Sequence, residues 1–346
     1  MASAPRGKVR RRSGRVGPMM RRCFVCAADM LQPTKRHLTY PGGRRRDFPL
    51  ACASCGLLLT ADADPDRCHA DLAERLAAPA FVPDPDGAYG LDLYTLRSAA
   101  TGAGLGIRAL DGDGRADLRR PHGIRAAQAD LYALDVGETM PVSLGLLCRP
   151  ADLERVLAGV EAHAAWTDDV VVLLDASAGP PRAMAAAGFA HGAVRVAARP
   201  MDGDFGAQRN ALQDLARHPW MLQLDADETL DAAAGRRLLA LAGLAETGAV
   251  LSVGLPRRNR VDGVLSDVYP DVQYRLNRRS VRYGGRVHER PVLDGGWPRS
   301  IIALHGAIEH HLGRAHVLAR SRRYESLAPG RGRPEEEAAL LRPFRD

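Results

Sequence analysis

Trp220-Met-Leu-Gln-Leu-Asp225-Ala-Asp227-Glu228 is the stretch on which the reading of this chain turns. Pro219 to Leu224 reads as a short buried strand, and it runs directly into three acids within four residues. Acids crowded at the end of an apolar strand repel one another and are costly unless a cation neutralises them. Positions 225 and 227 alternate, so both carboxylates can project to one side. Oxygen donors of this kind suit a hard divalent ion such as Mg²⁺ or Mn²⁺, which in turn can bridge to a diphosphate. The competing explanation is an acidic helix start, with Asp and Glu favoured by the helix dipole and Thr229 or Asp231 as cap. The pair alone does not decide between them.

The surrounding sequence alternates strands and helices. Val142 to Leu147 reads as a buried strand, and Asp152 to His163 as a helix with Leu153, Val156, Leu157 and Val160 on one face. Asp169 to Leu174 is a second buried strand ending in Asp175-Ala-Ser177, Gly192 to Ala198 a third, and Asp204 opens a helix running to about Arg217. Such alternation marks an α/β domain with a mainly parallel sheet, here expected over 141–328. Asp175, at the carboxyl end of its strand, faces the crevice where such sheets bind ligands.

Taken in order, Asp175-Ala-Ser177, Asp204-Phe-Gly-Ala-Gln-Arg-Asn210, Trp220 to Glu228, Gln273-Tyr-Arg-Leu276 and Arg286-Val-His-Glu289 resemble family 2 glycosyltransferases of the GT-A (Rossmann-like) fold. The likeness is greatest to the bacterial branch that modifies cell-surface saccharides. It implies a nucleotide-diphosphate sugar as donor, Mg²⁺ or Mn²⁺ as cofactor, and a saccharide, lipid-linked or small-molecule acceptor. By the same resemblance Asp175 and Ser177 would hold the nucleoside, Arg209 and Asn210 would position the donor, and Asp225 would meet the ribose or metal. Asp227 would ligate the metal, and Glu289 would be the general base, with Asp271 next in line. His288 and His311 would be further metal or phosphate contacts, and Trp297 and Tyr283 would line an acceptor groove. One departure stands out: the first strand of the family leads into an Asn-Glu-Glu-like segment, whereas here Cys148-Arg-Pro-Ala-Asp152 follows.

The 346-residue chain is 46% hydrophobic with a net charge of +7, which excludes wholesale disorder. Residues 1–22 carry eight cations and no acid, which leaves −1 for all the rest. This basic stretch is expected to be a disordered tail. It lacks aromatics on which bases could stack, so nucleic acid is not an expected partner. Cys23-Phe-Val-Cys26 and Cys52-Ala-Ser-Cys55-Gly56 form two C-x2-C knuckles, the signature of a closed, structural four-cysteine Zn²⁺ site over 23–60. With the piece that follows, this ribbon is similar to those heading some methyltransferases. Residues 61–140 read as a linker or short α+β segment, with helical spacing at Leu93, Leu96 and Ala100 and a glycine run at Gly102 to Gly106 that lacks a preceding strand. Residues 329–346 are Gly-, Pro-, Arg- and Glu-rich and are expected to fray.

The fold class is therefore α/β, a GT-A domain preceded by a small zinc ribbon and a short α+β segment. The function expected is metal-dependent, inverting sugar transfer. A different class remains open: a zinc-ribbon adaptor that binds nucleic acid or protein, with a degenerate transferase domain. No apolar run reaches the roughly 18 residues that span a bilayer, and no apolar segment follows the basic start. The expected location is cytoplasmic, at most peripheral to the inner face of the membrane.

Overall fold

The computed structural model describes residues 22–332 and 334–345. The basic tail expected at 1–22 lies outside them apart from Arg22. At the centre is an eight-stranded sheet in the order Gly179–Met184, Val194–Ala198, Val170–Leu174, Val142–Cys148, Trp220–Asp225, Gln273–Arg278, Ser252–Leu255, Ser300–Ile302. The run from Val194–Ala198 to Trp220–Asp225 is parallel, as expected. Gln273–Arg278 then pairs antiparallel with both of its neighbours, so the sheet is mixed, with four parallel pairings and three antiparallel ones. The edge strand Gly179–Met184, also antiparallel, escaped the sequence reading because Pro180 and Pro181 argue against a central strand, though an edge tolerates them.

Period-2 alternation sends side chains to two cores. Val170, Val172, Trp220, Leu222 and Leu224 face the helix Ala232–Thr247, while Val171, Leu173 and Met221 face the helix Phe205–Asp214 through Leu212. Both helices start on an aspartate cap: Asp204 accepts from the Ala207 N–H and Asp231 from the Ala234 N–H, each at 2.8 Å. The helix expected over 152–163 is shorter, Leu153–Gly159, with single 3₁₀ turns before and after it. A second, four-stranded sheet joins Glu228–Thr229, Ile308–Leu312, Arg257–Val261 and Val264–Leu265 in that order.

The ribbon and the segment after it are not separate. Leu58–Leu59 of the ribbon pairs with Tyr89–Gly90, and one hydrophobic core runs from Cys23 through Leu72, Leu96 and Ile107 to Ala129. The boundary expected near residue 60 therefore does not interrupt packing. The C-terminal segment expected to fray instead forms the helix Pro334–Leu340, whose Leu340 packs with Leu312 and Val317. Burial of that leucine outweighs the polar composition around it. Among the described residues no helix is long and apolar enough to cross a membrane.

Candidate active site

The strands Val142–Cys148, Val170–Leu174 and Trp220–Asp225 run in the same direction and end at one edge of the sheet. There a cavity of about 600 Å³ opens, lined among others by Asp175, Arg209, Asp225, Asp227, Arg275, Glu289 and His310. The helix Arg314–Leu327 closes one side, contributing His316, Arg320, Arg323 and Tyr324 at helical spacing.

Below the cavity lies a network of buried ions. The Arg209 guanidinium donates through Nε to Glu289 Oε1 at 2.5 Å and through Nη2 to Asp225 Oδ1 at 2.8 Å. Arg275 Nη2 donates to the other Asp225 oxygen at 3.0 Å. Arg257 bridges Glu228 and Asp271, with Nη1 2.7 Å from Glu228 Oε1 and Nη2 2.5 Å from Asp271 Oδ2. The second Glu228 oxygen accepts the Asp225 N–H at 3.0 Å and so ties off the turn after the strand. Burial works against the charge on Arg209, but Asp225 and Glu289 more than offset it and raise its pKa. Burial pushes the Asp225 carboxyl up, Arg209 opposes that, and the nearby Glu228, Asp227 and Glu289 carboxylates add to the rise. Removing one member of such a buried set leaves another charge uncompensated.

Asp227 lies on the turn, and its backbone carbonyl accepts the His311 N–H at 2.9 Å. Glu228 and His310 are register partners in the short sheet. This staple brings His310 Nε2 to 3.5 Å from Asp227 Oδ2. His310 Nδ1 donates to Asn259 Oδ1 at 2.7 Å, because an amide oxygen only accepts, and Nε2 is the ring nitrogen that faces the carboxylate. Burial alone would raise the Asp227 carboxyl, but the bond and charge of His310 and a backbone N–H hold it down to about 2. A carboxylate and an imidazole nitrogen converging on one point, with the Asn259 amide bonded to the far side of the imidazole, fit a divalent ion such as Mn²⁺.

Several expected site residues are held by other partners, although Asp225, His288 and His311 all border the cavity. Asp225 is taken up by two arginines and does not offer a free oxygen pair to a metal. His311 points the opposite way from His310, because successive strand residues alternate, and its Nε2 meets Thr229 Oγ1 at 3.0 Å. His288 bonds the Arg331 carbonyl at 2.8 Å and packs edge-on against Tyr324. Ser177 is exposed beyond the strand end and does not line the cavity. Asn210 is spent on the backbone of Tyr283, bonding its N–H and carbonyl at 2.7 and 2.9 Å. Tyr283 is buried, and Trp297 stacks on Tyr274 away from the cavity. Asp175 does line it, with one oxygen accepting the Met201 N–H at 2.9 Å.

Residues that sequence reasoning missed are Asn259, Arg257, Arg275 and, as the inward member of its pair, His310. Arg275 is the most informative. It is buried, its Nη1 lies 3.8 Å from Glu289 Oε1 with no hydrogen-bond partner among the described residues, and the side chain borders the cavity. Its only signal was the place of Gln273-Tyr-Arg-Leu276 in the motif order. His310 was accessible from the apolar alternation Ile308, His310, Leu312.

At the other end of the chain, Cys23, Cys26, Cys52 and Cys55 are buried with their sulfurs all within 4.8 Å of one another. The Cys23–Cys55 and Cys26–Cys52 sulfur pairs are each 3.6 Å apart, and Gly56 takes the φ of +91° that the second knuckle needs. Contact with the neighbouring thiols pushes Cys23 and Cys55 up and pulls Cys52 down, so these sulfurs cannot all ionise without a cation. The cluster fits tetrahedral Zn²⁺ with no open position. Cys68, in the helix Pro65–Leu76, and Cys148 are buried apart from it.

No family model matches this sequence, and no curated relative aligns with it. Solved structures of S. aureus TarS are similar over 58% of this chain. TarS 1-349 gives a TM-score of 0.29 at 10% identity with 70% of that chain covered. TarS gives 0.32 at 10% identity with 42% covered. TarS 1-349 in complex with UDP gives 0.31 at 8% identity with 70% covered.

Proposed function

We propose that this protein is a metal-dependent, inverting glycosyltransferase of the GT-A type, moving a sugar from a nucleotide-diphosphate donor to a hydroxyl acceptor. The observation that carries the reading is the convergence of Asp175, Asp225, Asp227, His310 and Glu289 on one cavity at the carboxyl edge of the parallel strands. An acidic helix cap would not account for it, since Asp227 faces the Nε2 of an imidazole whose other nitrogen is held by Asn259.

Asp227 and His310 would hold the divalent ion, which when bound supplies positive charge to the leaving diphosphate. Asp175 sits where the nucleoside enters, past the second parallel strand. The Asp225 carboxylate, held by Arg209 and Arg275, is set to accept from donor hydroxyls. Glu289 takes the proton of the acceptor hydroxyl: Arg209 occupies Oε1, which leaves Oε2 for that proton. The acceptor oxygen then bonds to the anomeric carbon as the bond to the donor phosphate breaks, and the nucleoside diphosphate departs with inverted configuration at the sugar. The orphan N–H of Arg275 is placed to donate to an oxygen of the bound sugar or acceptor. Asp271 is a poor base, because Arg257, Asn259 and Gln273 occupy both of its oxygens.

The experiment is a screen of nucleotide sugars for Mn²⁺-dependent release of nucleoside diphosphate. The expected result is turnover of at least one donor that Asp227→Ala abolishes. Turnover equal in wild type and variant would refute the assignment.

A further inference from the structure

The zinc-binding unit touches the rest of the molecule beside the strands that carry His310 and Asn259. Arg22 immediately precedes the first knuckle cysteine. Its side chain is 8% exposed and reaches the segment just after the second sheet's hairpin, with Nη2 2.7 Å from Asp267 Oδ1 and Nη1 2.9 Å from the Tyr269 carbonyl. The same guanidinium bonds the Ala27 carbonyl inside the first knuckle at 3.0 Å and the Arg345 carbonyl at 2.7 Å, and it lies 4.1 Å over the Phe344 ring. One side chain therefore joins the knuckle, the segment after the hairpin and the C-terminal segment.

From Asp267 the contacts continue without a gap. Its neighbours on both sides are bonded to Asn259: the Ser266 N–H donates to the Asn259 carbonyl at 2.8 Å, and Asn259 Nδ2 donates to the Val268 carbonyl at 3.2 Å. Asn259 is the residue whose Oδ1 orients His310, and the two are register partners in the parallel pair of strands. Asp267, Asn259 and His310 are all nearly inaccessible to solvent. Buried, hydrogen-bonded groups in a packed interior have few alternative positions. A second contact grips the approach to the His310 strand: Thr101 Oγ1 accepts the Leu304 N–H at 2.8 Å, the Tyr94 hydroxyl bonds the Ser300 carbonyl, and the half-buried Leu304 packs against the zinc unit's core.

We propose that the zinc unit is a positioning element for the divalent-cation site, with Arg22 as the residue that transmits the order of the zinc knuckle through Asp267 and Asn259 to His310. This rests on the reading of Asp227 and His310 as the cation-holding pair. The physical reason is that the ribbon's strands are two or three residues long and cannot sustain themselves. Zinc binding then contributes to their folding free energy, and the closed knuckle supplies the Ala27 carbonyl that helps to fix Arg22. Outer-shell partners of metal-ligating histidines are worth about 10–100-fold in metal affinity, so loosening Asn259 is felt at the cation.

The test is Mn²⁺ titration of the full chain, followed by electron paramagnetic resonance, with zinc content measured on the same samples. Wild type is expected to bind Mn²⁺ and Asp227→Asn to lose it; no binding by wild type would remove the underlying reading. Arg22→Gln is expected to keep its zinc and bind Mn²⁺ about tenfold more weakly. Asp267→Asn cuts the same link without touching the ribbon and is expected to match it, and the double variant should add little to either single change. A merely structural role would lower the melting temperature and leave Mn²⁺ affinity of the folded protein alone. Mn²⁺ affinity unchanged in Asp267→Asn, with wild type binding and Asp227→Asn not, would overturn this proposal and leave the proposed function standing.

Discussion

His310 presents Nε2 to Asp227 Oδ2 at 3.5 Å, although the two residues are 83 positions apart in sequence. The contact exists because the turn after the Trp220–Asp225 strand is stapled to the Ile308–Leu312 strand, register partner to register partner. It is also where the structure departs most usefully from the sequence reading, which put His311 and not His310 at the metal. His310→Ala is expected to reduce Mn²⁺ affinity by at least tenfold, and His311→Ala to leave it within about twofold. Calorimetric titration of both variants checks this; equal losses would contradict the alternation argument.

Glu289 and Arg209 form the pair that separates binding from chemistry. Glu289→Gln keeps the size and one acceptor oxygen for Arg209, so donor binding should persist. Transfer should fall by about 10²-fold or more, the usual contribution of general-base catalysis. Nucleotide-induced thermal stabilisation with Mn²⁺, alongside turnover, distinguishes the two effects. Retained transfer would move the base elsewhere in the cavity.

The Asp271 carboxyl gives a pH signature. Burial alone would raise it, but Arg257, Asn259 and Gln273 hold it down to about 2, against an ordinary value of 3.8. A depressed carboxyl contributes stability that is complete above the unfolded value and is lost as pH falls through the folded one. The contribution is about 2 kcal/mol, full above roughly pH 4 and disappearing toward pH 2. Asp271→Asn should therefore be less stable than wild type at pH 7 by at least that amount, with the gap narrowing below about pH 3. Urea unfolding at pH 7, 4 and 2.5 measures it; a gap independent of pH would refute the account.

Gly243 tests the packing of the helix Ala232–Thr247. A Cβ there would fall 1.8 Å from the Glu138 carbonyl oxygen, which is backbone and cannot swing aside. Gly243→Ala should cost about 1–3 kcal/mol despite alanine's better helix propensity. A thermal melt unchanged from wild type would show that the 134–140 connection does not sit on this helix.

How much of this was legible in the sequence follows from the range of the forces involved. The apolar strands and the acids at 225 and 227 are local signals, and the structure keeps their order. The cysteine knuckles were legible because their spacing is itself the site. The reversal of direction at Gln273–Arg278 was not, since strand polarity depends on which neighbour a strand finds and not on its own residues. Arg257 and Arg275 were invisible for a related reason: among the chain's many arginines, only tertiary contact with Glu228, Asp271 and Asp225 marks these two. Asn210 misled because an amide beside Arg209 in the motif looks like a ligand contact until the Tyr283 backbone is seen to occupy both its ends. The last segment misled because polar composition hides Leu340 and Leu341, which dock it against Leu312 and Val317.

The most direct test of the central claim is a crystal structure of the chain with Mn²⁺ and uridine diphosphate, read by the anomalous signal of manganese. The account predicts one manganese peak within bonding distance of Asp227 and His310 Nε2, bridging to the diphosphate, with Asp225 still held by Arg209 and Arg275. Nucleotide bound with its manganese away from both residues, or the nucleotide outside this cavity altogether, would contradict it.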